Sequence, residues 1–525
     1  MTRYAFLTFA FAGLLVTPVV AAPPEDFDAR VDALREEFGV PGIAIAIVES
    51  GAMTLARGYG VRKLGDAARV DARTLFQTGS TGKAFTSAGL ALLVDQDRIG
   101  WDDKVIEHMP WFRMHDPWVT REITVRDLLV HRSGLGRGAG DLLFVPRSKL
   151  SRRETVERMA HIEPASSFRS TFAYCNVCYV AAGQLIEEVS GQRWEDYMQE
   201  HLLSAAGMRD SVADSTARFA SDNRSFPHAR LNGALRGAGD QELLDERDEL
   251  GRNAAPAGGL AMSARDMATW IRIQLAQGAL PGGGRLFSEA AAKAMWTPAV
   301  ALAASELPES LEAAEAQFNA YALGWSVRDY RGERIISHGG GVFGSITMVV
   351  LIPGKHAGFA IMMNSEDVAL LSGLMYELLD HYVGASFSDW PAKWAAFFEQ
   401  RIETGLKTLA GQEAEPAEVG PSLPVARYAG RYADPWYGQL EISEDGSKLR
   451  IDFLSTPRMT GALEHWQYDT FITRFEDESI EPAYVTFALD ADGGISRITM
   501  KAASPLADFS YDYHDLEFTP AGTQQ

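Results

Sequence analysis

Ser80-Thr81-Gly82-Lys83 places a hydroxyl and an amine three residues apart at the start of an apolar, helix-like run, and no other Ser-x-x-Lys occurs in the chain. Residues i and i+3 share one face of a helix, so we expect Lys83 to reach the Ser80 oxygen. A serine hydroxyl is a weak nucleophile unless a neighbouring base takes its proton. The spacing predicts an activated serine, although a solvated helix face carrying the same two residues would look identical.

Two later stretches favour the catalytic interpretation. Tyr174-Cys175-Asn176 stands at the entry to a second apolar helix, expected over 179–190. Ser337-His338-Gly339-Gly340-Gly341 ends one strand-like segment, expected to stop at His338, and precedes another over 345–352. Ser-x-x-Lys, Tyr-x-Asn and His-Gly-Gly each occur once, in that order. Together they predict three walls of one cleft.

The only cysteines are Cys175 and Cys178. One Cys-x-x-Cys cannot complete a four-ligand zinc site, and thioredoxin-like chemistry would need a fold context that this chain lacks. An oxidising compartment could join the pair in a local disulfide. We expect instead two small thiols that pack near the site.

His131, at the end of a predicted capped helix, is interpreted as structural, with a catalytic role as the alternative.

Composition and charge limit the classes of function. The chain has 525 residues, which predicts two domains, and 46% hydrophobic residues, which is ordinary for a globular protein. Its formal net charge is −21, from 70 acidic and 49 basic residues. A nucleic-acid partner would require a basic footprint, so this class of partner is excluded.

The N-terminus predicts export. A basic start at Arg3, an apolar run over 4–16 and the small residues Ala21 and Ala22 are typical of a cleaved signal peptide. The run is shorter than the roughly 20 residues of a spanning helix, so an uncleaved anchor is disfavoured. We expect a signal peptide over 1–22 and a periplasmic or secreted mature protein without stable membrane insertion.

The remaining chain divides by its hydrophobic period. Residues 23–385 alternate predicted helices with apolar strands, the first a buried strand over 43–48. A helical linker is expected over 386–424, the last part of it rich in Glu, Pro and Gly. Over 425–525 the pattern alternates with period two and includes two hairpins, which predicts a small all-β barrel or curved sheet.

With these motifs in place, residues 26–384 resemble the serine β-lactamase-like family, which includes class C β-lactamases, D-alanyl-D-alanine carboxypeptidases and related esterases. Further shared phrases are Val40-Pro-Gly-Ile43, the stretch over 127–134 and Gly258-Gly-Leu-Ala-Met-Ser263. The resemblance implies an α/β (α+β) transpeptidase fold, with a central antiparallel sheet flanked by helices and an all-helical subdomain. The tail resembles the lipocalin-like domain appended to some of these hydrolases.

The resemblance also implies roles for individual residues. Ser80 would be the acylated nucleophile, Lys83 its helix-borne partner and Tyr174 a proton relay. The backbone N–H groups of Ser80 and Gly341 would form the oxyanion hole. The residues that would bind substrate are Asn176, His338, Gly339 and Gly340. No cofactor and no metal is implied.

The strand motif departs from the β-lactamase pattern. His338 replaces the usual lysine, and a neutral imidazole attracts a carboxylate less than an ammonium does. Gly339 and Gly340 lack the hydroxyl that commonly binds that carboxylate. The departures favour a small ester or peptide substrate, and thus an esterase or D-amino-acid peptidase, over a β-lactam and a class C-like β-lactamase.

Other classes fit the sequence less well. No Gly-x-Ser-x-Gly nucleophile elbow and no His-Glu-x-x-His metal motif occurs. Gln77 and Ala84 stand where a phosphate-binding loop needs a glycine and a hydroxyl, so that interpretation fails. A non-hydrolytic sensor that binds penicillins or cell-wall fragments stays as the alternative, although such a sensor has no need of Tyr174.

Overall fold

A computed structural model describes residues 23–246, 250–303, 306–412, 418–446 and 448–522. The helices are α1 Phe27–Glu37, α2 Gly82–Asp95, α3 Val105–His108, α4 Pro117–Glu122, α5 Val125–Leu129, α6 Arg152–Glu157, α7 Asn176–Ser190, α8 Trp194–Tyr197, α9 Ala255–Gly258, α10 Ala264–Leu275, α11 Glu289–Met295, α12 Val368–Val383 and α13 Trp390–Gln412. A short 3-10 helix of one turn, Gly79–Thr81, leads directly into α2.

The strands form two eight-stranded assemblies and two short pairs. They are β1 Gly42–Glu49, β2 Ala52–Gly60, β3 Phe76–Gln77, β4 His228–Arg230, β5 Gln241–Leu243, β6 Ala261–Met262, β7 Val300–Ala301, β8 Asn319–Tyr321, β9 Ser326–Tyr330, β10 Glu333–Val342, β11 Ser345–Ile352, β12 Ala357–Met363, β13 Gly430–Asp434, β14 Gly438–Asp445, β15 Lys448–Phe453, β16 Thr460–Gln467, β17 Thr470–Phe475, β18 Ala483–Leu489, β19 Ile495–Ala502 and β20 Glu517–Pro520.

The first assembly is an open antiparallel sheet in the order β2-β1-β12-β11-β10-β9-β8-β7. Strand β1, which lies between the edge strand β2 and β12, is buried along its whole length, as its unbroken apolar run predicts. Ala44 and Ala46 face a core shared with α2, α7 and α10, whereas Ile43 and Ile45 face a core shared with α1 and α12. Helices therefore cover both faces, and the predicted sheet flanked by helices is confirmed.

Helices α2 to α9 lie on one side of the sheet, and α2 and α7 contribute long runs of buried apolar side chains to that core. Capping explains several of their boundaries: Thr124 and Asp127 form a capping box at the start of α5. Ser263 caps α10 by accepting from the Asp266 N–H. The helix after Tyr174 begins at Asn176, three residues before the predicted start, with Cys175 as its N-cap.

The second assembly is a closed barrel of β13 to β20, which confirms the predicted all-β tail. Its interior is filled by packed aromatic rings, including Tyr428, Tyr437, Phe453, Phe471 and Phe518. The domain boundary expected at 385 falls just after the end of α12, and the boundary expected at 424 falls before the start of β13. The long helix α13 lies between the two.

The predicted signal peptide over 1–22 lies outside the described residues. In the part of the chain that the structure describes, no helix combines the length and apolar character required to cross a bilayer.

Candidate active site

Ser80 and Lys83 lie beside each other, as their spacing predicts. The Lys83 Nζ is 2.8 Å from the Ser80 Oγ. Ser80 is partly exposed to a cleft, whereas Lys83 is fully buried. The 3-10 turn presents the hydroxyl and the first turn of α2 presents the amine, because the two segments continue on one axis.

The surroundings of Lys83 determine how its amine can act. Nζ also lies 2.7 Å from the Asn176 Oδ1 and 2.8 Å from the Ala257 carbonyl oxygen, two groups that can only accept hydrogen bonds. Burial lowers the pKa of Lys83 to about 7, although the charge of Asp141 opposes this shift. A neutral Lys83 has two N–H groups for these acceptors, so its lone pair is left to face the Ser80 hydroxyl.

Tyr174 closes the second side of the site. Its ring centroid is 4.8 Å from the Lys83 Nζ, and its hydroxyl is hydrogen-bonded with Ser80. Burial raises the pKa of Tyr174 well above its usual value, and the bond with Ser80 opposes this only in part. Near neutral pH the residue is a phenol, able to donate a proton but not to act as a phenolate.

Asn176 belongs to a chain of hydrogen bonds that leads away from the cleft. Its Nδ2 donates to the Asp141 Oδ2 at 2.8 Å, and the Ser510 hydroxyl donates to the same oxygen at 2.8 Å. Asp141 is fully buried, and burial raises its pKa to about 7 against the lowering effect of these two donors and of Lys83. The amide expected to bind substrate is therefore also a link between Lys83 and the barrel.

The glycine-rich part of β10 forms the third side. A Cβ built on Gly340 would lie 2.0 Å from the Thr78 oxygen and 2.8 Å from the Ser80 nitrogen. Gly79 has a φ of +51°, and a Cβ there would lie 2.6 Å from the Gly341 nitrogen. Only glycines allow this backbone contact, which brings the two N–H groups expected for the oxyanion hole to one place.

β10 continues four residues beyond the predicted end at His338. Pairing with β11 extends to Val342 opposite Ser345, whereas pairing with β9 ends at Ser337 opposite Ser326. One edge of 338–342 is thus left for the cleft. Continued pairing on one side only explains why consecutive glycines stay in a strand here.

His338 lines the cleft but both of its ring nitrogens have protein partners. Its Nδ1 donates to the Gly339 carbonyl oxygen at 2.6 Å, so Nε2 accepts from the Tyr321 hydroxyl at 2.8 Å. Burial lowers the pKa of His338 to about 3, assisted by the charge of Lys83. The residue is a neutral imidazole that offers no free N–H donor and no charge.

His131 is buried behind Tyr174, with 4.3 Å between the ring centroids. Its Nδ1 accepts from the Cys175 N–H at 2.9 Å, and burial holds its pKa well below the usual value. This geometry fits the structural interpretation.

The expectation of two free thiols is wrong: Cys175 and Cys178 form a disulfide across the first turn of α7. As the N-cap, Cys175 directs its side chain at the third helical residue, Cys178, whose N–H it accepts at 3.2 Å, and this brings the two sulfurs together.

The site opens into a cleft of about 1030 Å³ with walls from both domains. The barrel contributes Phe509, whose ring stands edge-on to that of Tyr174 at 5.9 Å. Among the described residues, no group of three or more His, Cys, Asp or Glu side chains is arranged to hold a metal.

Sequence reasoning missed Asp141, Tyr321 and Ser510. Ser510 and Asp141 are separated by 369 residues, and no local spacing links them. Asp141 follows the glycine-rich stretch 134–140, which was not recognised as part of the site. The segment over 508–512 alternates polar and aromatic residues like the strands of the tail, so Ser510 carried no signal of its own.

Comparisons with known families cover nearly the whole chain. The family model described as Beta-lactamase matches residues 27–379. A second model, described as Domain of unknown function (DUF3471), matches residues 414–520, the region of the barrel.

Several curated relatives match over most of their length. Unguisins hydrolase ungD of Aspergillus violaceofuscus is 28% identical over 457 residues, which are 81% of this chain and 77% of that protein. Penicillin-binding protein 4 of Amycolatopsis lactamdurans is 28% identical over 360 residues, 68% of this chain and 89% of that protein.

Solved structures share the fold. The octameric penicillin-binding protein homologue from Pyrococcus abyssi has a TM-score of 0.56 at 20% identity and covers 94% of this chain and 98% of its own. The D-amino acid amidase from Ochrobactrum anthropi SV3 has a TM-score of 0.54 at 18% identity and covers 69% of this chain and 98% of its own.

Proposed function

Since the chain belongs to the beta-lactamase family of serine hydrolases, we propose that it cleaves an ester or amide bond through an acyl-enzyme on Ser80. The observation that carries the proposal is the set of partners around Lys83. Two acceptor-only groups take the two N–H bonds of a neutral amine, and the remaining contact, at 2.8 Å, is the Ser80 Oγ. That arrangement is a general base in contact with its nucleophile.

The proposed reaction proceeds in two halves. Lys83 takes the Ser80 proton as Oγ attacks the substrate carbonyl carbon, and the oxyanion is stabilised by the Ser80 and Gly341 N–H groups. The leaving alcohol or amine departs with a proton that passes from Lys83, with the Tyr174 phenol as relay. Water then attacks the acyl carbon and gives a proton to Lys83, the bond between the acyl carbon and Oγ breaks, and Lys83 returns the proton to the Ser80 Oγ.

Substrate preference follows from the strand wall. A neutral His338 with both nitrogens bonded, followed by Gly339 and Gly340, provides neither the cation nor the hydroxyl that a β-lactam carboxylate would need. We infer an ester or a D-amino-acid amide rather than a β-lactam as substrate. The fold neighbour named D-amino acid amidase and the relative named a hydrolase support this choice.

The decisive test is Ser80→Ala. We expect this variant to lose turnover of a chromogenic p-nitrophenyl ester by a factor of roughly 10⁴ or more, because no nucleophile is left. Thermal unfolding of the variant checks that the fold is intact. A fluorophosphonate, which loses fluoride as it bonds to the serine oxygen, should add the mass of its phosphonyl group to Ser80 of the wild type only. Turnover retained by the alanine variant would refute the acyl-enzyme, and a stable adduct without turnover of esters, D-peptides or nitrocefin would favour the sensor.

Export remains part of the proposal. The disulfide between Cys175 and Cys178 is consistent with an oxidising compartment. N-terminal sequencing of the mature protein tests this: an intact Met1 in protein from its native host would contradict cleavage after Ala22.

A further inference from the structure

Besides placing Phe509 against Tyr174, the loop between β19 and β20 of the barrel binds one short backbone segment of the hydrolase domain. The Asp512 carboxylate accepts from the Gly140 N–H at 2.7 Å and from the Leu142 N–H at 3.1 Å. These amides flank Asp141, whose side chain accepts from Ser510. Two residues of the barrel, two positions apart, therefore hold the backbone on both sides of Asp141 and its carboxylate.

The contact is buried and specific. Asp141 and Asp512 are fully buried, and Ser510 is 7% exposed. The Asp141 Oδ1 has no hydrogen-bond partner among the described residues, so the two donors on Oδ2, from Asn176 and Ser510, are its whole side-chain support. A buried carboxylate that loses one of two donors is held less firmly and is less easily ionised.

Asp141 in turn fixes the amide of Asn176. An amide has one donor end and one acceptor end, and a carboxylate can only accept. With Nδ2 directed at Asp141, the Oδ1 must face Lys83, where it accepts one of the two N–H bonds that leave the lysine lone pair toward Ser80. A side chain of the barrel thus reaches the base in three hydrogen-bonded steps.

We propose that Ser510 is a positioning residue of the active site, through which the barrel orients Asp141, Asn176 and finally Lys83. This inference rests on the proposed role of Ser80 and Lys83. It gives the C-terminal domain a part in the reaction that does not require the domain to touch the substrate.

The expected pH effect has a definite sign. Removing the Ser510 hydroxyl removes a donor that favours the Asp141 carboxylate, so the pKa of Asp141 rises. Less negative charge then faces Lys83, whose pKa falls. The other titratable groups around this chain of bonds are unchanged by the substitution: Asp508, Asp512, Tyr174, Tyr179, His131 and His338.

The experiment compares Ser510→Ala with Ser504→Ala in the full chain. Ser504 belongs to the same loop, but its hydroxyl accepts from the Leu506 N–H and does not contact Asp141. With a p-nitrophenyl ester, kcat/KM measured against pH should rise along an acid limb to a plateau. We expect Ser510→Ala to lower the plateau value about tenfold and to move the acid limb about half a pH unit to lower pH. Ser504→Ala should change neither, and Ser510→Thr, which keeps the hydroxyl, should restore the wild-type limb.

The Asp141→Asn variant separates positioning from folding. In that background Ser510→Ala should cause no further shift of the limb, because the carboxylate through which it acts is gone. A shift that persists there, or a Ser510→Ala profile identical to that of Ser504→Ala while Ser80→Ala is inactive, would overturn the inference alone. An active Ser80→Ala would instead overturn the proposed function on which it rests.

Discussion

The open sheet and the closed barrel each contain eight antiparallel strands, and they differ in what their edges can do. In the sheet, β9 pairs with β10 only as far as Ser337, which leaves 338–342 facing Ser80. In the barrel, β13 pairs with β20, and aromatic rings fill the interior. Closure removes the edges that could bind a substrate backbone. The barrel can therefore act on the chemistry only through its loops.

The sharpest test of this comparison is a pair of neighbouring glycines on the open edge. We expect Gly340→Ala to lower kcat/KM by a factor of about 100 or more, because its Cβ would lie 2.0 Å from the Thr78 oxygen and displace the turn that carries Ser80. Gly341→Ala is the matched comparison, since it keeps the backbone N–H and the nearest atom to its Cβ would be 3.9 Å away. Steady-state kinetics on a chromogenic ester should show a clearly smaller loss for this variant than for Gly340→Ala.

Equal losses in the two glycine variants would show that the strand edge tolerates no side chain at all. Equal retention would show that the close contact between 79–81 and 339–341 is unnecessary for activity.

The next largest effect concerns pH. Because Lys83 acts as base only when neutral, and burial lowers its pKa to about 7, kcat/KM should rise as pH increases through 7 and then level off. Below the midpoint the slope should be roughly tenfold per pH unit for one proton. Asp141 ionises in the same range, so the limb belongs to the pair.

Measurements of kcat/KM from pH 5 to 9 on two esters with different leaving groups check this assignment. Both should give the same limb, since it reports the free enzyme. A profile that is flat across this range would contradict Lys83 as the base.

The smallest effect on activity is expected inside the barrel. Phe453 is fully buried among Tyr437, Phe475 and Phe518, and Phe453→Ala should lower the free energy of unfolding by about 3–5 kcal/mol through the cavity it leaves. At temperatures where the variant stays folded, kcat/KM should change less than twofold. Tyr468→Ala, at a side chain 52% exposed, should lower the free energy of unfolding by less than about 1 kcal/mol.

Denaturant unfolding followed with ester kinetics on the same samples measures both quantities. A large loss of kcat/KM in folded Phe453→Ala would contradict the view that the barrel affects the active site only through its loops.

Local patterns predicted much of the molecule. The contact of Ser80 with Lys83 follows from spacing along one helix axis, and the burial of β1 follows from an unbroken apolar run. The alternating tail predicted the strands of the barrel. These features are set by residues near each other in sequence, and so periodicity and spacing can find them.

Long-range and environment-dependent features could not be found this way. The contact of Ser510 with Asp141 depends on how the two domains dock. The low pKa of Lys83 and the neutral state of His338 depend on burial, which single motifs do not record. The redox state of Cys175 and Cys178 was predicted wrongly because the same Cys-x-x-Cys spacing allows either two packed thiols or a disulfide.

The disulfide has a practical consequence for anyone who prepares this protein. It encloses Asn176 and adjoins Tyr174, and both cysteines are fully buried, so the redox conditions under which the chain folds decide whether it forms. Production in a reducing cytosol would yield a molecule whose cleft differs chemically from the one described, and activity should therefore be judged on protein made in an oxidising compartment.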